Sequence, residues 1–102
     1  MTSMNERQRA FENKFALDEE QKFKATVRRN KLLGQWAAGL LGRDAEAYSK
    51  EVVAADFEES GDEDVVRKLR ADFDASGVSV TDDEIREKMF SLLTEAAVEL
   101  TK

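Results

Sequence analysis

Residues 81–100 read TDDEIREKMFSLLTEAAVEL, and they decide the fold. Ile85, Met89, Leu92, Leu93, Ala96 and Leu100 recur at the spacing that places side chains on one face of an α-helix. Thr81 with Glu84 has the form of a capping box. In that motif the hydroxyl takes a free amide of the first turn and the glutamate reaches back to the N–H of the cap. The spacing predicts a helix over about residues 82–100. Its apolar stripe is one-sided, so it requires partner helices.

Those partners lie upstream. Val65, Val66, Leu69 and Phe73 predict the inward face of a helix over about residues 63–75, broken by Gly77. Asp62 is its expected N-cap, and Glu63 and Asp64 suit the positive end of the helix dipole. Tyr48, Val52 and Ala55, with Val53 and Phe57 to the sides, predict a helix over about 45–59, capped by Asp44 and ended by Gly61. The first core helix is expected from about Asp18 to Leu41. Phe23, Val27, Gly34, Ala37 and Leu41 form its expected inner face, Leu33 and Leu40 widen one edge, and Trp36 lies further round. Gly34 and Gly39 each cost roughly 1 kcal/mol of helix propensity relative to Ala. Close approach between helices is the expected reason for both, and Gly42 is the expected stop. Short connections then build an all-α chain, a small four-helix bundle over residues 18–102. A flexible or partly helical N-terminal arm, residues 1–17, precedes it.

Composition agrees and narrows the function. The 102 residues suffice for one core. Pro is absent and 37% of residues are charged, which suits helices that each show one face to water. With no Cys there is no disulfide framework. With no His the chain lacks the commonest general base and, with Cys also absent, the usual zinc ligands. No apolar run is long enough to span a membrane and no apolar signal core opens the chain. A cytoplasmic protein is expected. The net charge of −6 is divided: residues 1–34 carry eight Lys/Arg against five Asp/Glu, residues 35–102 eight against seventeen. An acidic body argues against nucleic-acid binding. The basic first third points to a locally acidic partner.

Three candidate motifs carry little chemistry. Asp72, Asp74, Ser76 and Gly77 match positions one, three, five and six of an EF-hand loop, but position twelve is Asp83 instead of Glu and position eight is Ser79 instead of an apolar residue. The expected role of that stretch is an interhelical turn. Arg28, Arg29, Asn30 and Lys31 form a basic cluster that a helix would spread round its circumference, as a solvated face with pairs to nearby acids. Gly34 to Gly39 lies inside an apolar helix with no preceding strand, so it is not a phosphate loop. Nothing activates a Ser or Thr as a nucleophile. The chain is not expected to be an enzyme, and no cofactor or metal is expected.

The arm is the remaining signal. Met4, Phe11 and Phe15 form a short apolar stripe set among Arg7, Arg9 and Lys14. Burying the two phenylalanines on the chain's own bundle would contribute roughly 1.5–3 kcal/mol each. That is less than the cost of ordering the arm's backbone, and an isolated helix of this length is marginal in water. The arm is therefore expected to be disordered or fraying alone and helical when held in a partner's cleft.

The stretches Phe11-Glu-Asn-Lys-Phe-Ala-Leu-Asp-Glu-Glu20, Phe23-Lys-Ala and Arg28-Arg-Asn-Lys-Leu-Leu-Gly-Gln-Trp-Ala-Ala38 resemble the ATPase inhibitor subunit zeta family of α-proteobacteria. So do Ala47-Tyr48, Glu51-Val-Val53, Asp56 and the run from Glu58 to Val65. The resemblance implies a small cytoplasmic four-helix protein that binds the catalytic head of the F-type ATP synthase. It places the protein at the inner membrane only through that complex. It further implies that residues 1–17 enter a catalytic α/β interface near the central stalk and block rotation in the hydrolytic direction. Met4, Phe11 and Phe15 would then be the apolar anchors, and Arg7, Arg9 and Lys14 the cations that meet carboxylates. The free protein is expected to be monomeric. A calcium-responsive or generic helical adaptor is the alternative.

Overall fold

The computed structural model describes residues 10, 11, 13–57 and 62–101. Four helices make the body: α1 (Glu19–Leu41), α2 (Ala45–Asp56), α3 (Glu63–Ser76) and α4 (Asp82–Leu100). Residues 10, 11 and 13–15 add a short helical piece ahead of them. No strand occurs among the described residues. The chain is all-α, as its periodicity implies.

Local chemistry fixes the helix ends. Asp18 and Gln21 form a capping box at the start of α1: the Gln21 N–H donates to Asp18 Oδ1 at 2.8 Å and the Asp18 N–H to Gln21 Oε1 at 3.2 Å. Asp44 accepts from the Ala47 N–H at 2.9 Å. The Thr81–Glu84 box is present as expected, with the Glu84 N–H 3.1 Å from Thr81 Oγ1. Gly42 and Gly77 end α1 and α3 at a φ of +70°, the left-handed backbone that favours glycine. Asp62 departs from expectation. It precedes α3 but makes no side-chain cap bond; its carboxylate accepts from Arg29 instead.

The helices pack in a ring, α1 on α2, α2 on α3, α3 on α4 and α4 on α1, and α1 also meets α3 across it. The main core joins Leu33, Ala37, Tyr48, Val52, Val65, Leu69, Phe73, Ile85, Met89 and Leu92, with the Trp36 ring edge-on to Phe73 at 5.8 Å. The expected faces of α2, α3 and α4 are the buried ones. That of α1 is rotated. Ala25, Arg29, Asn30, Leu33, Gly34, Ala37 and Ala38 point inward, and Phe23 is 56% exposed beside an exposed Phe57, ring centroids 6.0 Å apart.

Close approach explains one interior glycine and not the other. A Cβ on Gly34 would stand 2.5 Å from the Cα of Ser49. Ser49 Oγ, at the same contact, donates to the Lys31 carbonyl at 3.0 Å and to that of Ala45 at 2.7 Å. Gly34 is thus what lets α1 and α2 meet. A Cβ on Gly39 would meet nothing.

Candidate functional site

The arm's described end lies on the bundle. Ala16 has a φ of +48°, a left-handed turn that interrupts the helix between Phe15 and Asp18 and folds the chain back. Phe11 and Leu17 are buried with Ala25 of α1 and with Ala96 and Ala97 of α4. Phe15, Phe90, Leu93 and Leu100 pack round that cluster. The Phe11 ring lies 4.9 Å from Phe15 and 6.5 Å, edge-on, from Phe90. Lys14 is exposed with its Nζ 5.4 Å above the Phe15 ring, within cation–π range.

Phe11, Phe15 and Leu17 therefore rest on a second, smaller core, where the burial argument leaves the arm free. The physical reason is length and one omitted residue. Only the last part of the arm need be ordered to seat Phe11, and Leu17 adds an anchor that the Met4–Phe11–Phe15 stripe does not contain. The alanines of α1 and α4 leave room for the ring. Of the six arm residues singled out, Phe11, Lys14 and Phe15 are placed by the structure, and Met4, Arg7 and Arg9 lie outside the described residues.

Beneath the seated arm is a cavity of about 260 Å³. Phe11 and Leu17 form one wall, Ala25 and Arg29 of α1 another, and Val66, Met89 and Phe90 close it from α3 and α4. Three cations, Lys22, Arg29 and Arg86, reach its lining beside the carboxylates of Asp62 and Glu63. Arg29 Nη1 donates to Asp62 Oδ1 at 3.0 Å and Arg86 Nη2 to Glu63 Oε2 at 3.2 Å. The Glu63 pair holds the Arg86 guanidinium above its ordinary pKa.

Arg29 and Asn30 are not a solvated face. Both are buried. The Arg29 Nε and Nη2 donate to Asn30 Oδ1 at 3.1 and 2.9 Å, and Asn30 Nδ2 donates to Asp56 Oδ2 at 3.0 Å. This network ties the middle of α1 to the end of α2 and the start of α3, and so fixes one wall of the cavity. The sequence signal was available: two acids, Asp56 and Asp62, flank the second connection, and a buried cation needs partners of that kind.

The turn at 72–77 is likewise used internally. Asp72 Oδ2 accepts from Tyr48 Oη at 2.7 Å and from Lys68 Nζ at 2.9 Å, while Asp74 pairs with Arg70 at 3.5 Å. Burial, then the bond to Asp72, pushes the Tyr48 phenol far above its usual range. Burial alone would raise the Asp72 carboxyl, but the bonds from Tyr48 and Lys68 outweigh it and hold the group low. No group of three or more acids that could hold a metal ion occurs among the described residues. No described helix is long and apolar enough to cross a membrane.

The described residues thus form a four-helix body with Phe11, Phe15 and Leu17 of the arm on a separate small core. Comparison with known families gives it a place: the profile described as ATPase inhibitor subunit zeta matches residues 1–99. The chain belongs to that family. A solution NMR structure of a protein 46% identical covers 78% of this chain and 94% of its own, with a TM-score of 0.68. None of the curated proteins matches. The zeta family's name carries a role as an ATPase inhibitor, and the match takes in the arm as well as the bundle.

Proposed function

We propose that the protein inhibits ATP hydrolysis by an F-type ATP synthase, with residues 1–17 as the inhibitory element and the bundle docked outside. The arm enters a catalytic α/β interface of the head and blocks rotation of the central stalk in the hydrolytic direction. The match to the ATPase inhibitor subunit zeta family over residues 1–99 is the observation that carries this reading. The geometry supports it in one respect. The left-handed Ala16 and the Asp18 cap separate the arm from α1, so the arm can leave the bundle while the main core stays closed. Met4, Phe11 and Phe15 serve as anchors in the cleft, and Arg7, Arg9 and Lys14 meet its carboxylates. The protein acts as a regulator and not as a catalyst, and it reaches the membrane only through the ATP synthase.

The test uses the isolated catalytic head. Adding the full-length protein should suppress ATP hydrolysis, and deleting residues 1–17 should abolish the effect. Equal inhibition by the truncated form would refute the arm's role. The calcium-responsive alternative has no observation in its favour, since the acids at 72 and 74 are already held by Tyr48, Lys68 and Arg70.

A further inference from the structure

We infer that the α1/α4 groove is an intramolecular seat for the arm, which competes with the ATPase cleft for Phe11 and so holds the free protein in a self-restrained state. This inference rests on the proposed inhibitory role of residues 1–17. Both placements of the arm call on Phe11. The residue is 9% exposed, clustered with Ala25, Ala96 and Ala97, and its ring is edge-on to Phe90. A side chain buried in its own bundle cannot also be an anchor in another protein. The two placements of the arm are therefore mutually exclusive, and inhibitor binding must first empty the groove.

The groove has the features of a seat that can be vacated. Its apolar cluster is separate from the main core, so emptying it leaves Leu33, Val52 and Phe73 packed. The arm is joined to α1 through Ala16, whose positive φ is unfavourable for a residue with a Cβ. Undocking lets Ala16 return to ordinary backbone, which lowers the free-energy gap between the two states. The apparent affinity of such a protein is reduced by the fraction that is competent to bind. Loosening the seat without touching the arm should therefore make a better inhibitor.

Phe90→Ala and Leu100→Ser each weaken the seat, the second at the last residue of α4 and away from the main core. Two measurements on the full-length variants decide the matter. Amide hydrogen exchange of residues 10–17 in the free protein reports the seat, and the concentration giving half inhibition of the isolated catalytic head reports the competition. Exchange should speed up, and the half-inhibitory concentration should fall roughly threefold or more, with exchange in the main core unchanged in Leu100→Ser. Unchanged exchange at residues 10–17, or faster exchange with an unchanged or raised half-inhibitory concentration, would overturn the inference. The deletion of residues 1–17 keeps the two ideas apart. If the truncated form inhibits, the inhibitory role itself fails; if it does not, and the loosened variants gain nothing, only the competition fails.

Discussion

Arg29, a residue only 2% exposed on α1, reaches Asp62 just ahead of α3 with an N–O distance of 3.0 Å while two of its guanidinium nitrogens are taken by Asn30. The pair is asymmetric, because the Asp62 side chain is about half exposed. Arg29→Ala strips Asn30 Oδ1 of both donors inside the fold and leaves a hole among α1, α2 and α3. It should destabilise the protein by about 3 kcal/mol or more in urea unfolding, the range for breaking a buried ionic network. Asp62→Asn keeps a polar acceptor at a wet position and should cost under about 1 kcal/mol. Equal losses would show that Arg29 is held by Asp62 alone.

Gly34 and Gly39 sit five residues apart on α1 and should respond to alanine in opposite directions. At Gly34 the new methyl meets the Ser49 backbone, so α1 and α2 must separate; overpacking of this kind costs about 1–3 kcal/mol. At Gly39 the methyl meets nothing, and Gly39→Ala should stabilise by about 0.5–1 kcal/mol through helix propensity and a less free unfolded chain. Thermal unfolding of the two variants checks the pair, and a stabilising Gly34→Ala would contradict the close contact.

Much of this fold was legible because the signals were local. Thr81 with Glu84, Asp44, Gly42 and Gly77 mark helix ends through their own neighbours, and the stripe from Ile85 to Leu100 fixes a face without reference to the rest of the chain. What was not legible depended on partners far along the sequence. Phe23 looked like a core residue by spacing, but α1 turns its alanines and Arg29 inward because α4 presents Ala96 and Ala97 there and the second connection presents Asp62. Asp62 looked like a cap because the competing donor lies 33 residues away. Gly39 looked like Gly34 because a glycine does not announce which of its sides faces a neighbour. At the arm, the stripe found Phe11 and Phe15 but not their seat, which joins Ala25 of α1 to Phe90, Ala96 and Ala97 of α4 across more than 60 residues of sequence.

The rotation of α1 gives a direct contrast between aromatics. Phe23 and Phe57 touch each other but stay more than half exposed, so Phe23→Ala should cost under about 1.5 kcal/mol. Phe73 is fully buried against Trp36, and Phe73→Ala should cost about 3–5 kcal/mol. Denaturant unfolding of both variants checks the register of α1. A Phe23 variant as damaged as the Phe73 variant would restore Phe23 to the core.

The pH dependence follows from the Tyr48–Asp72–Lys68 cluster. The Asp72 carboxyl is held below its ordinary value in the fold. Its contribution to stability is thus present above the unfolded pKa, about 3.9, and is lost as pH falls through the lower folded value. Tyr48 and Lys68 are shifted upward, Tyr48 by burial and the bond to Asp72, Lys68 by its bonds to Glu51 and Asp72 in spite of burial. Their contribution is present below about pH 10 and is lost above it. With no His in the chain, the melting temperature should be flat between pH 6 and 8 and fall at both extremes. Asp72→Asn should be less stable at neutrality and show a shallower loss in acid. A steep change in melting temperature near pH 7 would contradict this assignment.

Lys14 separates the arm's function from the bundle's stability. Its side chain is exposed, with the ammonium over the Phe15 ring. Lys14→Glu removes a surface cation and should change unfolding free energy by no more than about 0.5 kcal/mol. If Lys14 meets carboxylates in the ATPase cleft, the reversed charge places like charges together, and inhibition should weaken several-fold, with the larger part in the rate of association and most evident at low salt. Phe11→Ala differs in kind. It removes both an anchor for the cleft and the ring that fills the seat, so protection of residues 10–17 and inhibition should fall together. Inhibition assays at two salt concentrations, alongside hydrogen exchange, check both variants. A Lys14→Glu protein that inhibits as well as the parent at every salt concentration removes Lys14 from the interface.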